Sequence, residues 1–203
     1  NVNRISSAPA RDFVLAAPTA VSASALNVNI TSMTVSWTNP SAPANIDDRD
    51  HYRMYVATYS FSAITNPFVL LSSAVNHPLS GGTTTGITPN TTYFFRVTAV
   101  DEGTTPPGLY SAALESALST VYSTATRAAV PSTTTFTGSD VWMSSITFDW
   151  TAHGNPAGTF YEANVSTSSD FTRFSASQTV GGLSITTTTL ASGTVGEPMV
   201  ILP

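Results

Sequence analysis

Cysteine is absent from all 203 residues, and so is lysine. Without thiols the chain has no disulfide, no thiolate metal site and no cysteine nucleophile. Without lysine it has no Schiff-base amine and no donor for a Lys–Asn isopeptide crosslink. Charge of either sign is scarce: 9% of residues are charged, against about 25% in ordinary globular chains. The net charge is −5 and the seven arginines form no basic stripe, which argues against a nucleic-acid partner. No apolar run approaches the ~20 residues that span a bilayer. The opening NVNRISSAPARD has no signal-peptide core, so it reads as the start of a processed chain. The same lack argues against a type IV pilin, which needs a long apolar N-terminal helix. What is abundant is serine and threonine, about 30% of the chain. A polar but uncharged surface of this kind suits a secreted or surface-exposed β-protein, because Thr and Val fit pleated strands.

Helical periodicity is rare. Short alternating runs, separated by Pro, Gly, Asn and Ser, predict an all-β sandwich. SMTVSWTNP places Met33, Val35 and Trp37 on one face, and HYRMYVAT does the same for Tyr52, Met54 and Val56. FVLLSSAV, GGTTTGI, TYFFRVTAV and ALSTVYSTAT follow, and with APTAVSASALNV in front the strands number seven. GITPNTTYFFRVTAV carries the clearest pattern: Ile87 and Pro89, then Tyr93 and the alternating Phe95, Val97 and Ala99.

Residues 17–126 resemble a fibronectin type III domain, an immunoglobulin-like β-sandwich of seven strands. The resemblance implies that Trp37 fills the core from the second strand. It also implies that Tyr93 is the corner tyrosine, its hydroxyl bonded to backbone a few residues upstream. Tyr52, inward in phase on the next strand, is a further core residue. A second copy follows. SSITFDWTA repeats the strand of Trp37 with Ile146, Phe148 and Trp150, and FYEANVSTS repeats the next with Tyr161, Ala163 and Val165. DFTRFSAS and LSITTTTL supply two more strands.

The two tryptophans stand 113 residues apart, so a counterpart of Tyr93 falls near position 206, past residue 203. Residues 127–203 number 77, where a full copy needs about 100. EPMVILP is the only candidate for a sixth strand, and no residues remain for a seventh. Residues 1–16, meanwhile, belong to neither sandwich yet contain the strand-competent RDFVLAAP. The expected architecture is therefore two tandem sandwiches, 17–126 and 127–203, the second lacking a strand, with a spare segment at 1–16. Burying about three apolar residues in the resulting groove contributes roughly 5–9 kcal/mol, at ~1.5–3 kcal/mol each.

Donor-strand exchange between copies would use that mismatch. Val2, Ile5, Phe13 and Leu15 are the candidate anchors of a donated strand, and Ile146, Phe148, Trp150 and Val165 the candidate lining of the acceptor groove. The reverse polarity, with Met199–Leu202 as donor, is the other arrangement. The expected function is a structural subunit of an extracellular, pilus-like homopolymer at the cell surface. The alternative is a fragment or accessory module, for adhesion or carbohydrate binding, of a longer secreted surface protein.

Catalysis is not expected, and no cofactor is implied. His51, His77 and His153 fall in separate loops without paired spacing, and no GxSxG elbow presents a serine. Asp101 and Glu102 are neighbours on one loop rather than carboxylates opposed across a cleft. Asp47, Asp48 and Asp50 form a weak candidate Ca²⁺ site: the EF-hand spacing is missing, and Arg49 and Arg53 stand close enough to neutralise them. Three sequons make Asn29, Asn90 and Asn164 candidate glycosylation sites. Tyr55, Phe94, Tyr110 and Tyr122 are the aromatics that an outward-facing glycan platform would need.

Overall fold

In a computed structural model the chain is described over residues 16–39, 51–63, 75–77, 81–101, 114–132, 141–166, 176–188 and 200–202. It is all-β, with one 3-10 turn, Ala25–Asn27, among these residues. The first eight strands are β1 (Thr19–Ser22), β2 (Ser32–Thr38), β3 (His51–Ala57), β4 (Val75–His77), β5 (Gly81–Thr85), β6 (Thr92–Asp101), β7 (Leu114–Glu115) and β8 (Tyr122–Ala125). They form two sheets, β1-β2-β5 and β4-β3-β6-β7, with β8 also pairing β6.

Alternation explains both sheets. Inward Met33, Val35 and Trp37 from β2 are buried, as are Tyr52, Met54 and Val56 from β3 and Tyr93, Phe95, Val97 and Ala99 from β6. Outward positions on β2 and β5 carry hydroxyls in place of charges. The Thr34 and Thr83 hydroxyls hydrogen-bond across the strands at 2.8 Å. Such cross-strand pairs stabilise an antiparallel sheet by roughly 0.2–1 kcal/mol each.

Packing divides the chain into two compact units. One takes in Thr34–Thr83 and Phe94–Ser123, and the other Ser24–Met33, Thr84–Tyr93 and the chain from Thr124 onward. In the first, the Trp37 and Tyr52 rings lie 5.6 Å apart at the centre. Beside β6 the chain departs from regular pairing between β7 and β8. Ser116 and Ser119 donate their N–H groups to the carbonyls of Ala99 and Val97. Their hydroxyls accept the Ala99 and Val97 N–H groups at 2.9 and 3.0 Å. Serine side chains thus replace two strand carbonyls as partners of these N–H groups, which buried backbone requires.

The second unit begins with one end of the first sandwich. The Tyr93 hydroxyl accepts the Thr88 N–H at 2.8 Å, five residues upstream. Thr126 donates its hydroxyl to the Thr88 carbonyl, and Arg127 donates its N–H to the Asn29 carbonyl. Asn90 sits at φ 45°, a left-handed conformation that asparagine tolerates.

Five further strands follow: β9 (Ile146–Asp149), β10 (Tyr161–Val165), β11 (Ala176–Val180), β12 (Ser184–Thr187) and β13 (Val200–Leu202). They make a β12-β9 pair and a β11-β10-β13 sheet, all antiparallel. The repeat is visible in detail. The bridge Val28↔Met33 before β2 recurs as Val141↔Ile146 before β9. The turn bond from Asn29 N–H to the Ser32 carbonyl, 2.9 Å, recurs from Trp142 to Ser145 at 2.8 Å. A threonine pair recurs too, Thr147 with Thr186 at 2.7 Å.

Between β9 and β10 the chain makes two tight turns. Asn155 N–H closes on the Ala152 carbonyl across His153 and Gly154, both at positive φ, as a type I′ turn requires. Thr159 N–H then closes on the Pro156 carbonyl, with Gly158 at φ 88°.

Candidate assembly site

The residues that distinguish the second sandwich from the first lie at its last strand. β13 pairs with β10 through Glu162↔Leu202, Ala163↔Ile201 and Asn164↔Val200. It therefore occupies the place beside β10 that β6 occupies beside β3. There the likeness stops. β6 is covered on its far side by β7, Ser116, Ser119 and β8, whereas among the described residues nothing pairs with the far side of β13. A strand edge of this kind presents unpaired N–H and C=O groups and is a template for another strand.

The proposed groove residues are gathered but not open. Phe148, Trp150 and Val165 belong to one buried cluster with Tyr161, Ala163 and Ile185, and Ile146 packs against it half-buried. The Trp150 ring lies 5.9 Å from Phe148 and 5.7 Å from Tyr161. Ile185 of β12 is registered opposite Phe148, and the chain's own side chains cover the tryptophan. What β13 offers is backbone. Three buried polar atoms of this sandwich, Trp150 Nε1, Tyr161 Oη and Asn164 Oδ1, have no hydrogen-bond partner among the described residues. Each such group costs about 1–3 kcal/mol. The candidate donor residues Val2, Ile5, Phe13 and Leu15 lie outside the described residues.

The other candidates scatter. Asn29 and Asn90 are exposed, and the Asn90 side chain donates to the Thr159 hydroxyl at 3.0 Å. Asn164 is only 3% exposed and donates to Glu162, so the folded module leaves no room there for a glycan. That sequon begins within β10. Asp47, Asp48, Asp50, Glu102 and Tyr110 lie outside the described residues, among which no group of three His, Cys, Asp or Glu gathers as metal ligands. Tyr55 and Phe94 do face outward from their strands, yet they are covered. With Ala57, Phe61 and Leu118 they form a small apolar cluster on the outer face of the sheet. Tyr122 instead packs 6.4 Å from Phe95.

One polar cluster escaped the sequence reading. Glu115, in the two-residue β7, accepts from the Thr98 hydroxyl at 2.6 Å, the Tyr55 hydroxyl at 2.5 Å and Arg53 Nη1 at 3.1 Å. These donors come from β3 and β6, and only strand register brings them together. Burial, followed by the Glu115 contact, pushes the Tyr55 hydroxyl up to about 12 from its ordinary 10.0. Burial opposes ionisation of Glu115, but the Thr98 and Tyr55 hydroxyls, with Arg53, outweigh it and hold the carboxyl below its ordinary 4.5.

The signs give a pH window. Tyr55 keeps its proton more tightly when folded, so its contribution is complete below pH 10 and is lost as pH rises toward 12. Glu115 contributes fully above pH 4.5, and its part is lost as pH falls through the lower folded value. Chemical denaturation across pH 3 to 12 should therefore show a plateau with two limbs. Glu115→Gln should remove the acid limb and shrink the alkaline one.

Two antiparallel sandwiches in tandem, the first closed by a tyrosine corner, define an all-β protein of the immunoglobulin-like class. Residues 16–113 match the family model for the fibronectin type III domain, and this part of the chain is a fibronectin type III domain. Among solved structures the chain is similar to a segment of two fibronectin type III domains from chicken tenascin. The two are 16% identical with a TM-score of 0.53, over 92% of this chain and 98% of that one. It is also similar to the FN1–FN3 domains of chicken CNTN1, at 13% identity and a TM-score of 0.40, over 92% of this chain and 65% of that one. No curated protein matches the chain. At such identities the tenascin likeness carries the fold. Fibronectin type III domains are structural and adhesion-type modules common in extracellular and cell-surface proteins. No helix among the described residues is long and apolar enough to cross a membrane.

Proposed function

We propose that the chain is a structural subunit of an extracellular filament, joined to its neighbours by a β-strand that one copy adds to the β13 edge of the next. The domain plan is an extension at 1–16, a complete sandwich at 17–126 and an incomplete one at 127–203. The observation that supports this reading is the pairing of β13 on one side only among the described residues, against the two-sided pairing of β6 at the same place in the first sandwich. The donor is residues 1–16, whose RDFVLAAP has the composition of a strand.

Strand addition suits so weakly charged a surface. Main-chain hydrogen bonds supply the affinity, and few charges across the contact need desolvation. The contact joins unlike surfaces, so copies add head to tail and build an open filament unless the rotation closes. No catalytic step is involved.

The test compares the full chain with one lacking residues 1–16, by size-exclusion chromatography and negative-stain imaging. The full chain should form filaments and the shortened one should remain monomeric. Excess synthetic peptide 1–16 should cap growth. If the shortened chain polymerises equally well, or the full chain stays monomeric at high concentration, the proposal fails.

A further inference from the structure

In the second sandwich the turn before β9 exposes two large apolar side chains side by side. Trp142 is 69% exposed and Met143 is 84% exposed, beside Val141 at 52%. The other two tryptophans, Trp37 and Trp150, are buried. The turn is held by its own hydrogen bond from Trp142 to Ser145, so the pair is presented on formed structure.

The internal repeat indicates what this end of a sandwich meets. Trp142 and Met143 stand where Asn29 and Ile30 stand in the first copy. That end of the first copy, Ser24–Met33 with Thr84–Tyr93, belongs to one compact unit with the sandwich that follows it. Within that unit Asn90 Nδ2 donates to Thr159 Oγ1 at 3.0 Å, and a Cβ at Gly154 would lie 3.7 Å from Pro89 Cγ. The following sandwich thus meets that end through Pro89 and Asn90 and leaves the shorter Asn29 and Ile30 exposed at its margin. The corresponding end of the second copy is where another sandwich would pack, with the longer Trp142 and Met143 at that margin.

We infer that the Trp142–Met143 turn is the docking surface for the first sandwich of a neighbouring copy of this chain. The inference rests on the strand-addition reading and extends it by fixing the polarity of the donated strand. Pairing of β10 with β13 places Val200 opposite Asn164, at the end where β10 finishes, so β13 runs away from the Trp142 turn. A strand added antiparallel to β13 runs back toward that turn, and its C-terminal end leaves the sandwich beside Trp142. The first copy follows the same path. The bonds Ser116–Ala99, Ser119–Val97 and Thr126–Thr91 show the chain running antiparallel to β6 and leaving at the Asn29 end. If residues 1–16 are the added strand, the sandwich that begins at residue 17 arrives directly over Trp142 and Met143. Apolar exposure in a chain with so polar a surface has an occupant at that point: a second copy.

Acrylamide quenching of tryptophan emission tests this on the full chain. Monomer should show a quenchable Trp142 component that Trp142→Phe abolishes. On polymerisation the wild-type signal should fall to the quenching level of that variant. Monomer capped by excess peptide 1–16 should stay fully quenchable, because the peptide brings a strand without a sandwich. The surface variant Trp142→Ser/Met143→Ser should fold normally and raise the critical concentration for assembly by about tenfold or more. Filaments that require residues 1–16 but leave Trp142 quenchable would overturn this inference while sparing strand addition. Filaments indifferent to residues 1–16 would overturn strand addition and remove the basis of this one. An unchanged critical concentration in the double variant would count against the turn alone.

Discussion

Trp150→Ala is expected to lower the stability of the second sandwich by about 3–5 kcal/mol, the usual cost of deleting a large buried aromatic ring. The ring, just past the end of β9, packs against Phe148 on β9 and Tyr161 on β10, and it bridges the β12-β9 pair and the β11-β10-β13 sheet. Among the described residues six buried side chains make up this cluster, with Ile146 and Val180 packed against it. Typical domains have about 5–15 kcal/mol in total. Native-state hydrogen exchange is the appropriate measurement. Protection of the β9, β10 and β12 amides should fall by roughly two to four powers of ten, with β3 and β6 much less affected. Equal loss across both sandwiches, or no loss in β9, would contradict this account of the core.

Asn155→Ala should come close in size, through hydrogen bonding rather than volume. Asn155 is buried, and its amide makes a two-way bond with one residue of the segment after β8. Nδ2 donates to the Ala129 carbonyl at 2.8 Å, and Oδ1 accepts the Ala129 N–H at 2.8 Å. The side chain thus imitates one rung of a strand ladder where the chain has no strand to pair. Truncation leaves a buried N–H and a buried C=O without partners, at about 1–3 kcal/mol each, or roughly 2–6 kcal/mol together. Denaturant titration of the variant should show the loss, and Asn155→Asp should not rescue it, because the carboxylate keeps only the acceptor. A loss under 1 kcal/mol would mean that water satisfies both groups.

These two residues were unequally legible in the sequence. Trp150 announced itself by alternation with Ile146 and Phe148 and by its place one repeat after Trp37. Asn155 sits in HGNPAG, where the residues predict only a turn, and its partner lies 26 positions earlier. The same division runs through the candidate site. EPMVILP read as a sixth strand, and Val200–Leu202 is one. That it lies against β10, with its other edge unpaired among the described residues, is a matter of sheet order. The groove residues were identified as inward-facing, yet their closure by Ile185 depends on how β12 registers on β9.

The sequence by itself determined the all-β class, the inward faces, the corner at Tyr93 and the 113-residue repeat. Each is written in the order of neighbouring residues, where side-chain direction follows from a two-residue period. Only the tertiary structure decided that Glu115 collects donors from β3 and β6 and that Ser116 and Ser119 stand in for strand carbonyls. It alone decided that Trp142 and Met143 face solvent. Those facts depend on which strands meet and in what register, and burial of the whole chain fixes that choice where no local pattern does.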